Sequence, residues 1–199
     1  MFNHWISNNY IEVFGAIAGI IYVFLEIRQH IWLWPVGIVT SAVYVWIFFS
    51  GKLYADMSLQ VYYLVISFLG WYWWLKGGRR NGGRNEFLSV TRLKVKTGIC
   101  LALVFVLLYA GIWFILSSFT DSPVPGWDSF VTSLSIVATW MLARKIYEHW
   151  YIWILVNAVS AILFFTRGLY PTVILYIIYG IMSFSGLHVW KRTIPERTK

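Results

Sequence analysis

Charge is scarce in this chain of 199 residues: Asp, Glu, Lys and Arg make up 12% of it, against roughly 25% in soluble domains. Acidic residues are rarest, with 8 Asp and Glu against 16 Lys and Arg. The single cysteine, Cys100, excludes an intrachain disulfide framework and a thiolate metal cluster. The sequence also lacks a P-loop, a dinucleotide-binding glycine pattern, a zinc-protease signature and a serine elbow. These absences argue against an enzyme, and no cofactor or metal is expected.

Apolar residues are correspondingly abundant, at 59% of the chain with a mean hydropathy of +0.66. A soluble globule of this size could not bury so much apolar surface. The apolar residues fall into seven stretches, most of them close to the length of about 20 residues that a membrane-spanning helix needs. The stretches are residues 11–27, 31–50, 57–75, 97–119, 129–143, 150–166 and 170–190.

The chain contains an internal repeat. Residues 14–76 align without a gap on residues 130–192 at an offset of 116, and 17 of the 63 positions are identical. The repeat predicts two three-helix units, residues 11–76 and 127–192, joined by a basic linker, 77–96, and a connecting helix, 97–119. Duplication in a membrane protein points towards transport.

The positions of Lys and Arg predict how the helices are oriented, because these residues collect in cytoplasmic loops. With the N-terminus outside and the C-terminus inside, 14 of the 16 basic residues lie on the cytoplasmic side, and only Lys52 and Arg167 lie outside. An odd central helix then makes the two repeats parallel, as in SWEET-type sugar transporters. The predicted fold is an all-α integral membrane protein with seven transmembrane helices in a 3+1+3 arrangement.

Polar side chains within the predicted spans are candidates for substrate binding, because an unpaired amide is costly in hydrocarbon. Asn157 lies near the middle of the sixth span, and its repeat counterpart is Ser41, next to Thr40. Gln60 lies in the third span, and its counterpart is Tyr176. Each could instead form a hydrogen bond that fastens two helices.

Aromatic and acidic residues give a second set of candidates. Trp71 and Trp74 are three residues apart and so share a helix face, on which a flat cationic ring could stack. An interfacial aromatic belt is the alternative for both. Glu26 and Asp56, near the ends of predicted spans, could attract a cation to the mouths of a path, although such residues more often cap helices or reach the interface.

Two sets of motifs suggest a family. "LYAD…LQ" followed by "GW..W" occurs in the first repeat, and "WDS…R…WI..N" followed by "LY" in the second. In this order and spacing they resemble the PnuC family of bacterial B-vitamin transporters, and the likeness covers nearly the whole chain. It implies substrate contacts by Gln60, Trp71, Trp74 and Asn157, with Tyr170 and Tyr176 as weaker matches.

The resemblance also implies a biological setting. Such proteins lie in the bacterial inner membrane, and the family implies facilitated diffusion of a vitamin that a cytoplasmic kinase traps by phosphorylation. A homotrimer is the implied assembly. The expected partners are therefore a small-molecule vitamin, the lipid bilayer and a vitamin kinase, with no nucleic acid.

The substrate is left open between thiamine and nicotinamide riboside. Nicotinamide riboside members usually have an asparagine in the second span, where this chain has Thr40. The "IWLWPVGI" segment looks more like the thiamine branch, so thiamine is slightly favoured and riboflavin is a distant third. The alternative to transport is a membrane receptor or scaffold whose basic linker contacts a cytoplasmic protein or anionic lipid.

Overall fold

Seven α-helices account for most of the described chain, and each lies where an apolar stretch predicted one. A computed structural model describes residues 10–50, 54–77, 80–81, 84–85, 88–120 and 122–194. The chain divides into two units, Met1–Phe87 and Leu88–Lys199. The helices are α1 (Tyr10–Ile27), α2 (Leu33–Ser50) and α3 (Tyr54–Lys76) in the first unit, and α4 (Val95–Phe119), α5 (Pro125–Ala143), α6 (His149–Thr166) and α7 (Tyr170–Arg192) in the second.

Four helices, α2, α4, α6 and α7, are long and apolar enough to cross a membrane. Helix α1 has a shorter apolar part, Val13–Ile27. Helix α5 is less apolar because it carries several hydroxyl side chains, among them Ser135 and Thr139, which donate to the carbonyls of Val131 and Ser135 on their own helix. The prediction of seven helices is confirmed, whereas their 3+1+3 arrangement across the membrane stays a prediction.

Two very short strands depart from the expected all-α fold. Strand β1 (Arg80–Asn81) pairs antiparallel with β2 (Arg84–Asn85), with Arg80 opposite Asn85. The sequence between the strands is Gly-Gly, which favours a two-residue hairpin connection. The basic linker thus contains a small hairpin.

Within each unit, consecutive helices pack against each other. In the first unit α2 packs along α3, and α1 packs against α2. In the second unit α6 packs along α7, while α5 contacts both α4 and α6. A buried cluster of Val137, Met141 and Ile146 joins α5 to the neighbouring apolar side chains of α4.

The turn between α1 and α2 ends α1 with a paired set of backbone hydrogen bonds. The N–H of His30 donates to the carbonyl of Leu25 (2.8 Å), and the N–H of Gln29 donates to that of Glu26 (2.9 Å). This is the Schellman pattern, which satisfies carbonyls that a helix end otherwise leaves unpaired. The pattern needs a residue with positive φ, and Gln29 has φ of 52°.

The turn between α5 and α6 repeats this arrangement at an offset of 116. The N–H of Ile146 donates to the carbonyl of Met141 (2.9 Å), and that of Lys145 donates to Leu142 (2.9 Å). Lys145 has φ of 50°. The two units therefore share a turn geometry that neither Gln nor Lys suggests, because glycine is the usual residue at this position.

A tryptophan lies directly on a glycine where α2 meets α3. The ring of Trp34 lies so close to Gly70 that a Cβ on that residue would overlap it. Trp74, one turn further on, packs edge-on against Trp34 with 5.3 Å between ring centroids and an interplanar angle of 89°. Both indoles are buried. We call this contact the tryptophan–glycine lock.

The second unit contains the same lock where α6 meets α7. Trp150 lies on Gly186, and Trp190 packs edge-on against Trp150 at 5.8 Å and 80°. His149 adds a third ring, 4.7 Å from Trp150 and 4.8 Å from Trp190. Three of the repeat identities, Trp34/Trp150, Gly70/Gly186 and Trp74/Trp190, serve this one contact.

We predict that Gly186→Ala lowers the free energy of unfolding by about 1–3 kcal/mol, because the added methyl group overpacks a buried ring. Gly70→Ala should do the same in the first unit. Gly111→Ala is the matched control, because a Cβ there meets nothing within 4 Å on an exposed helix face. Thermal unfolding in detergent measures all three. An equal melting temperature for Gly186→Ala and Gly111→Ala would contradict the lock.

The second prediction concerns Lys145, in the turn outside the apolar spans. Burial lowers the pKa of its ammonium from 10.5 to about 8. The unfolded chain therefore binds more protons than the folded chain between these values, so the free energy of unfolding should rise as the pH increases from 8 towards 10.5. Melting temperatures recorded up to about pH 9.5, below the usual tyrosine pKa, test this.

The matched variants are Lys145→Met, which keeps the non-glycine residue at positive φ, and Lys191→Met, an exposed lysine on α7. Only Lys145→Met should flatten the rise in melting temperature with pH. The same slope in the wild type and in Lys145→Met would show that another group causes it.

Candidate functional site

The predicted polar residues of the first unit lie on α2 and α3. Thr40 donates from Oγ1 to the carbonyl of Val36 (2.8 Å), so its hydroxyl proton is used within its own helix. Ser41 is buried, and Gln60 is half-buried. Thr40 therefore offers a ligand an acceptor oxygen more readily than a donor.

The two predicted tryptophans of α3 differ in their surroundings. Trp74 belongs to the tryptophan–glycine lock, whereas Trp71 is half-buried. Gln60 precedes Trp71 by eleven residues on the same helix, which places them roughly 16 Å apart along its axis. One small ligand would have difficulty reaching both. The role of Trp71 and Trp74 in substrate binding stays a prediction, and for Trp74 the observed packing favours a structural role.

In the second unit, a row of side chains connects α6 to α7. Asn157 is buried and donates from Nδ2 to the hydroxyl oxygen of Ser183 (3.2 Å). Ser183 in turn donates to the carbonyl of Tyr179 (2.8 Å). The amide of Asn157 is thus held in place by a hydroxyl that is itself fixed to its helix. This is the interhelical bond that the sequence left as the alternative, and it also orients the amide.

One turn further along this row lies Tyr176. Its phenol lies beside the buried Ser160, and its ring stacks on Phe164 at 5.2 Å with an interplanar angle of 22°. The residues Asn157, Ser160 and Phe164 are spaced by three and four, so they lie on one face of α6. We call this row the α6–α7 seam. Its members so far are Asn157, Ser160 and Phe164 of α6 and Tyr176 and Ser183 of α7. The structure therefore brings together two of the predicted residues, Asn157 and Tyr176.

The seam also includes a residue that the sequence analysis missed. Trp153 precedes Asn157 by one turn, about 6 Å along α6, and lies on the same face. Its Nε1 is buried, and within the described part of the chain no acceptor bonds to it. The Nε1 atoms of Trp34 and Trp150 are unpaired in the same way inside the two locks, so Trp153 is distinguished by its place beside Asn157 and not by the unpaired donor alone. The repeat could have revealed it, because the counterpart of Trp153 is Gly37.

At that position the first unit is built differently. A Cβ on Gly37 would lie 2.9 Å from Oγ of Ser67 and 3.1 Å from the ring of Tyr22. The glycine therefore lets α1, α2 and α3 approach closely, whereas the second unit places an indole at the equivalent site. The chemistry of the seam belongs to the second unit alone.

Three further predicted residues are Tyr170 in the second unit and Asp56 and Glu26 in the first. Tyr170 is exposed and packs edge-on against Phe165 at 6.0 Å. Asp56 is exposed at the start of α3, as a residue that attracts cations would be. The side chain of Glu26, however, is buried at 2% exposure, so it does not present its carboxylate to solvent.

An ion pair lies at the opposite end of the second unit from its tryptophan–glycine lock. Arg167, just after α6, donates to Oδ1 of Asp128 on α5 at 3.2 Å, and Ser122 donates to the other oxygen at 2.7 Å. Each charged side chain is about one-third exposed. Such a pair contributes little stability but holds α5 to the end of α6.

Known proteins resemble this chain over most of its length. The sequence pattern of one family, described as nicotinamide mononucleotide transporter, matches residues 9–192. The chain belongs to this family. The nicotinamide riboside transporter PnuC of Escherichia coli K12 is 25% identical over 210 residues, which cover 95% of this chain and 88% of that protein. The riboflavin/roseoflavin transporter RibM of Streptomyces davaonensis is 28% identical over 180 residues, covering 90% and 83%.

A solved structure shows the same fold. The crystal structure of the vitamin B3 transporter PnuC aligns with this chain at a TM-score of 0.73 and 22% identity, covering 94% of this chain and 83% of that one. The resemblance to the PnuC family is therefore confirmed. As a member, the chain is a multi-pass protein of the bacterial inner membrane and a transporter, not an enzyme.

We predict that Ser183→Ala lowers the free energy of unfolding of this PnuC-family protein by about 1–3 kcal/mol, because it leaves the buried amide of Asn157 without its acceptor. Ser67→Ala is the matched control. Ser67 occupies the equivalent position and donates to Tyr63 in the same way (2.7 Å), but its unit has Ser41 where the second unit has Asn157. Thermal unfolding in detergent should show the larger loss for Ser183→Ala, and equal losses would contradict the seam.

Proposed function

We propose that this protein takes up a B-vitamin built from a flat ring and a hydroxylated arm, with nicotinamide riboside as the first candidate. The observation that carries the proposal is the α6–α7 seam. There an indole, an amide and a hydroxyl follow one another along one face of α6, and α7 contributes a phenol. The names of two relatives support the substrate class, since one is a nicotinamide riboside transporter and the other a riboflavin/roseoflavin transporter.

This order of substrates differs from the one that the sequence suggested. Thiamine was slightly favoured on the style of the second span, but the relatives compared above give it no support. Its hydroxyethyl arm also offers fewer hydroxyls than a ribosyl arm to the polar groups of the seam. Thiamine therefore becomes the second candidate. Riboflavin rises in weight because of the relative named RibM.

The spacing of the seam suggests how a nucleoside-like vitamin would bind. From Trp153 to Ser160 the α6 face extends roughly 10 Å. The ring of the vitamin would stack on Trp153, where a cationic pyridinium gains a cation–π attraction. The arm would then lie beside Asn157, Ser160 and Tyr176, which offer both donors and acceptors to hydroxyl groups. Trp153 replaces Trp71 and Trp74 as our first choice for the stacking residue.

The mechanism that we propose is facilitated diffusion. Transporters that couple to an ion commonly carry ionisable side chains inside their spans. The seam residues are all neutral, which favours transport without a coupled ion. The internal repeat supports alternating access by movement of three-helix units. Net accumulation would then depend on phosphorylation by a cytoplasmic kinase, and the assembly we expect is a homotrimer. Membership in a transporter family favours this function over a receptor or scaffold.

The test is uptake of labelled nicotinamide riboside, thiamine and riboflavin into proteoliposomes. We expect nicotinamide riboside to equilibrate without an ion gradient, and to accumulate only when a kinase and ATP are enclosed. Vesicles that equilibrate none of the three would exclude the proposed substrate class. Accumulation without a kinase would exclude facilitated diffusion.

Binding measurements on variants test the site separately. Trp153→Ala should weaken binding about fivefold or more, because stacking of a base on an aromatic side chain contributes roughly 1–3 kcal/mol. Trp32→Ala is the matched control, since Trp32 is exposed just before α2. Unchanged affinity in Trp153→Ala, with transport intact, would leave the substrate class standing and exclude this site.

A further inference from the structure

The segment that leads into α4 is bound to the second unit. Residues 88–94, which we call the strap, run beside the turn between α5 and α6. The N–H of Thr91 donates to the carbonyl of Lys145 (2.9 Å), and the carbonyl of Thr91 accepts from the N–H of Tyr147 (3.0 Å). Val90, within the strap, is buried. The strap therefore has a fixed position in this unit.

The strap and the first turn of α4 together carry three cations. Arg92, Lys94 and Lys96 follow one another at every second residue, and all three are exposed. In the described part of the second unit, the carboxylate near them is that of Glu148, and its Oε2 already accepts from the N–H of Leu93 (2.8 Å). The three cations outnumber this carboxylate, so the net local charge is positive, and two of the three cations lie on a segment that hydrogen bonds hold in place.

Three exposed apolar residues of α4, which we call the lane, continue from Lys96: Ile99, Leu103 and Leu107. Ile99, Leu103 and Leu107 follow Lys96 by three, seven and eleven residues, so they lie on the same face of α4. All three are exposed, and Leu107 is 73% exposed. None of the residues of α4 is buried, although it has the highest hydropathy of the candidate spans. An exposed apolar face of this kind is suited to contact with lipid acyl chains.

From these observations we propose that the strap and the start of α4 bind the phosphate of an anionic phospholipid, whose acyl chain lies along Ile99, Leu103 and Leu107. The leaflet concerned is the one that surrounds the start of α4. Cations next to the end of a span lie at the depth of the headgroups, where each attracts anionic lipid. The proposal does not depend on which vitamin is transported.

The choice of a membrane lipid over a soluble phosphate rests on the lane. A soluble phosphate would use the cations but not the apolar face that continues from Lys96. A phospholipid uses both, because its headgroup and its chain are covalently joined. The three cations are also spread along the chain, with Arg92 and Lys94 on the strap and Lys96 in the first turn of α4.

Native mass spectrometry of the full-length protein, released from vesicles of equal phosphatidylglycerol and phosphatidylcholine, tests the proposal. The wild type should retain phosphatidylglycerol in preference to phosphatidylcholine. The triple variant R92Q/K94Q/K96Q should lose at least tenfold of that preference, because each cation contributes roughly fivefold. The control K76Q/K191Q/R192Q removes three exposed charges from the ends of α3 and α7 and should lose much less of the preference.

A second variant separates geometry from charge. T91P removes the N–H that donates to Lys145 and keeps every cation. We expect it to reduce the preference for phosphatidylglycerol as well, because the strap is no longer held at its place. An undiminished preference in T91P, or an equal loss in both triple variants, would overturn the proposal, since net charge alone would then explain binding.

Native mass spectrometry also distinguishes a lipid from two other occupants. Soluble glycerol phosphate at millimolar concentration should not displace the lipid, and displacement would assign the site to free phosphate. The number of copies in the complex should be the same for wild type and R92Q/K94Q/K96Q. A change in that number would mean that a second copy, and not a lipid, occupies the lane.

Discussion

The contact of a tryptophan ring with a glycine backbone fixes the rest of each unit. Between membrane helices there is little hydrophobic drive, so close packing on small residues determines where two helices meet. Gly70 and Gly186 supply that small residue, and the rings of Trp34 and Trp150 fill the space. The Nε1 atoms of both indoles are buried without an acceptor among the described residues, so packing outweighs the cost of two unmade hydrogen bonds. Because the lock sets the register of the helix pair, every position further along the pair is set as well.

This shared register is what makes the differences between the two units informative. With Trp34 equivalent to Trp150, three pairs of equivalent positions carry different residues. They are Gly37 and Trp153, Tyr44 and Ser160, and Gln60 and Tyr176. In the first unit the phenol of Tyr44 lies against Gly15 of α1, so the tyrosine packs α2 onto its neighbour. In the second unit the phenol comes from α7 and contacts Ser160 of α6. The duplicated scaffold thus serves packing in one copy and presents polar groups along a seam in the other.

Features set by residues that are near in sequence could be predicted, whereas features set by contacts between helices could not. The seven helices and the repeat could be predicted, because apolar length and a constant offset are properties of neighbouring residues or of simple alignment. The burial of Glu26 and the pairing of Trp74 with Trp34 could not, since both depend on which helix faces which. The positive φ of Gln29 and Lys145 was hidden because neither is glycine. Asn157 was predicted from its cost in hydrocarbon, whereas Trp153 was missed because a tryptophan in a span normally indicates packing or the interface.

The charges of the molecule complement this neutral seam. In the described part of the second unit, the Asp, Glu, Lys and Arg side chains lie at the ends of the helices. Asp128 and Arg167 form an ion pair at one end of α6, and the strap with its cations lies near the other. Between them α6 and α7 carry an amide, hydroxyls and aromatic rings, which can bind a polar solute without leaving a charge in hydrocarbon when the solute departs. A carrier must tolerate the empty state as well as the loaded one. Groups that can satisfy each other, as Asn157 and Ser183 do, meet that requirement, because their hydrogen bond remains when no ligand is bound.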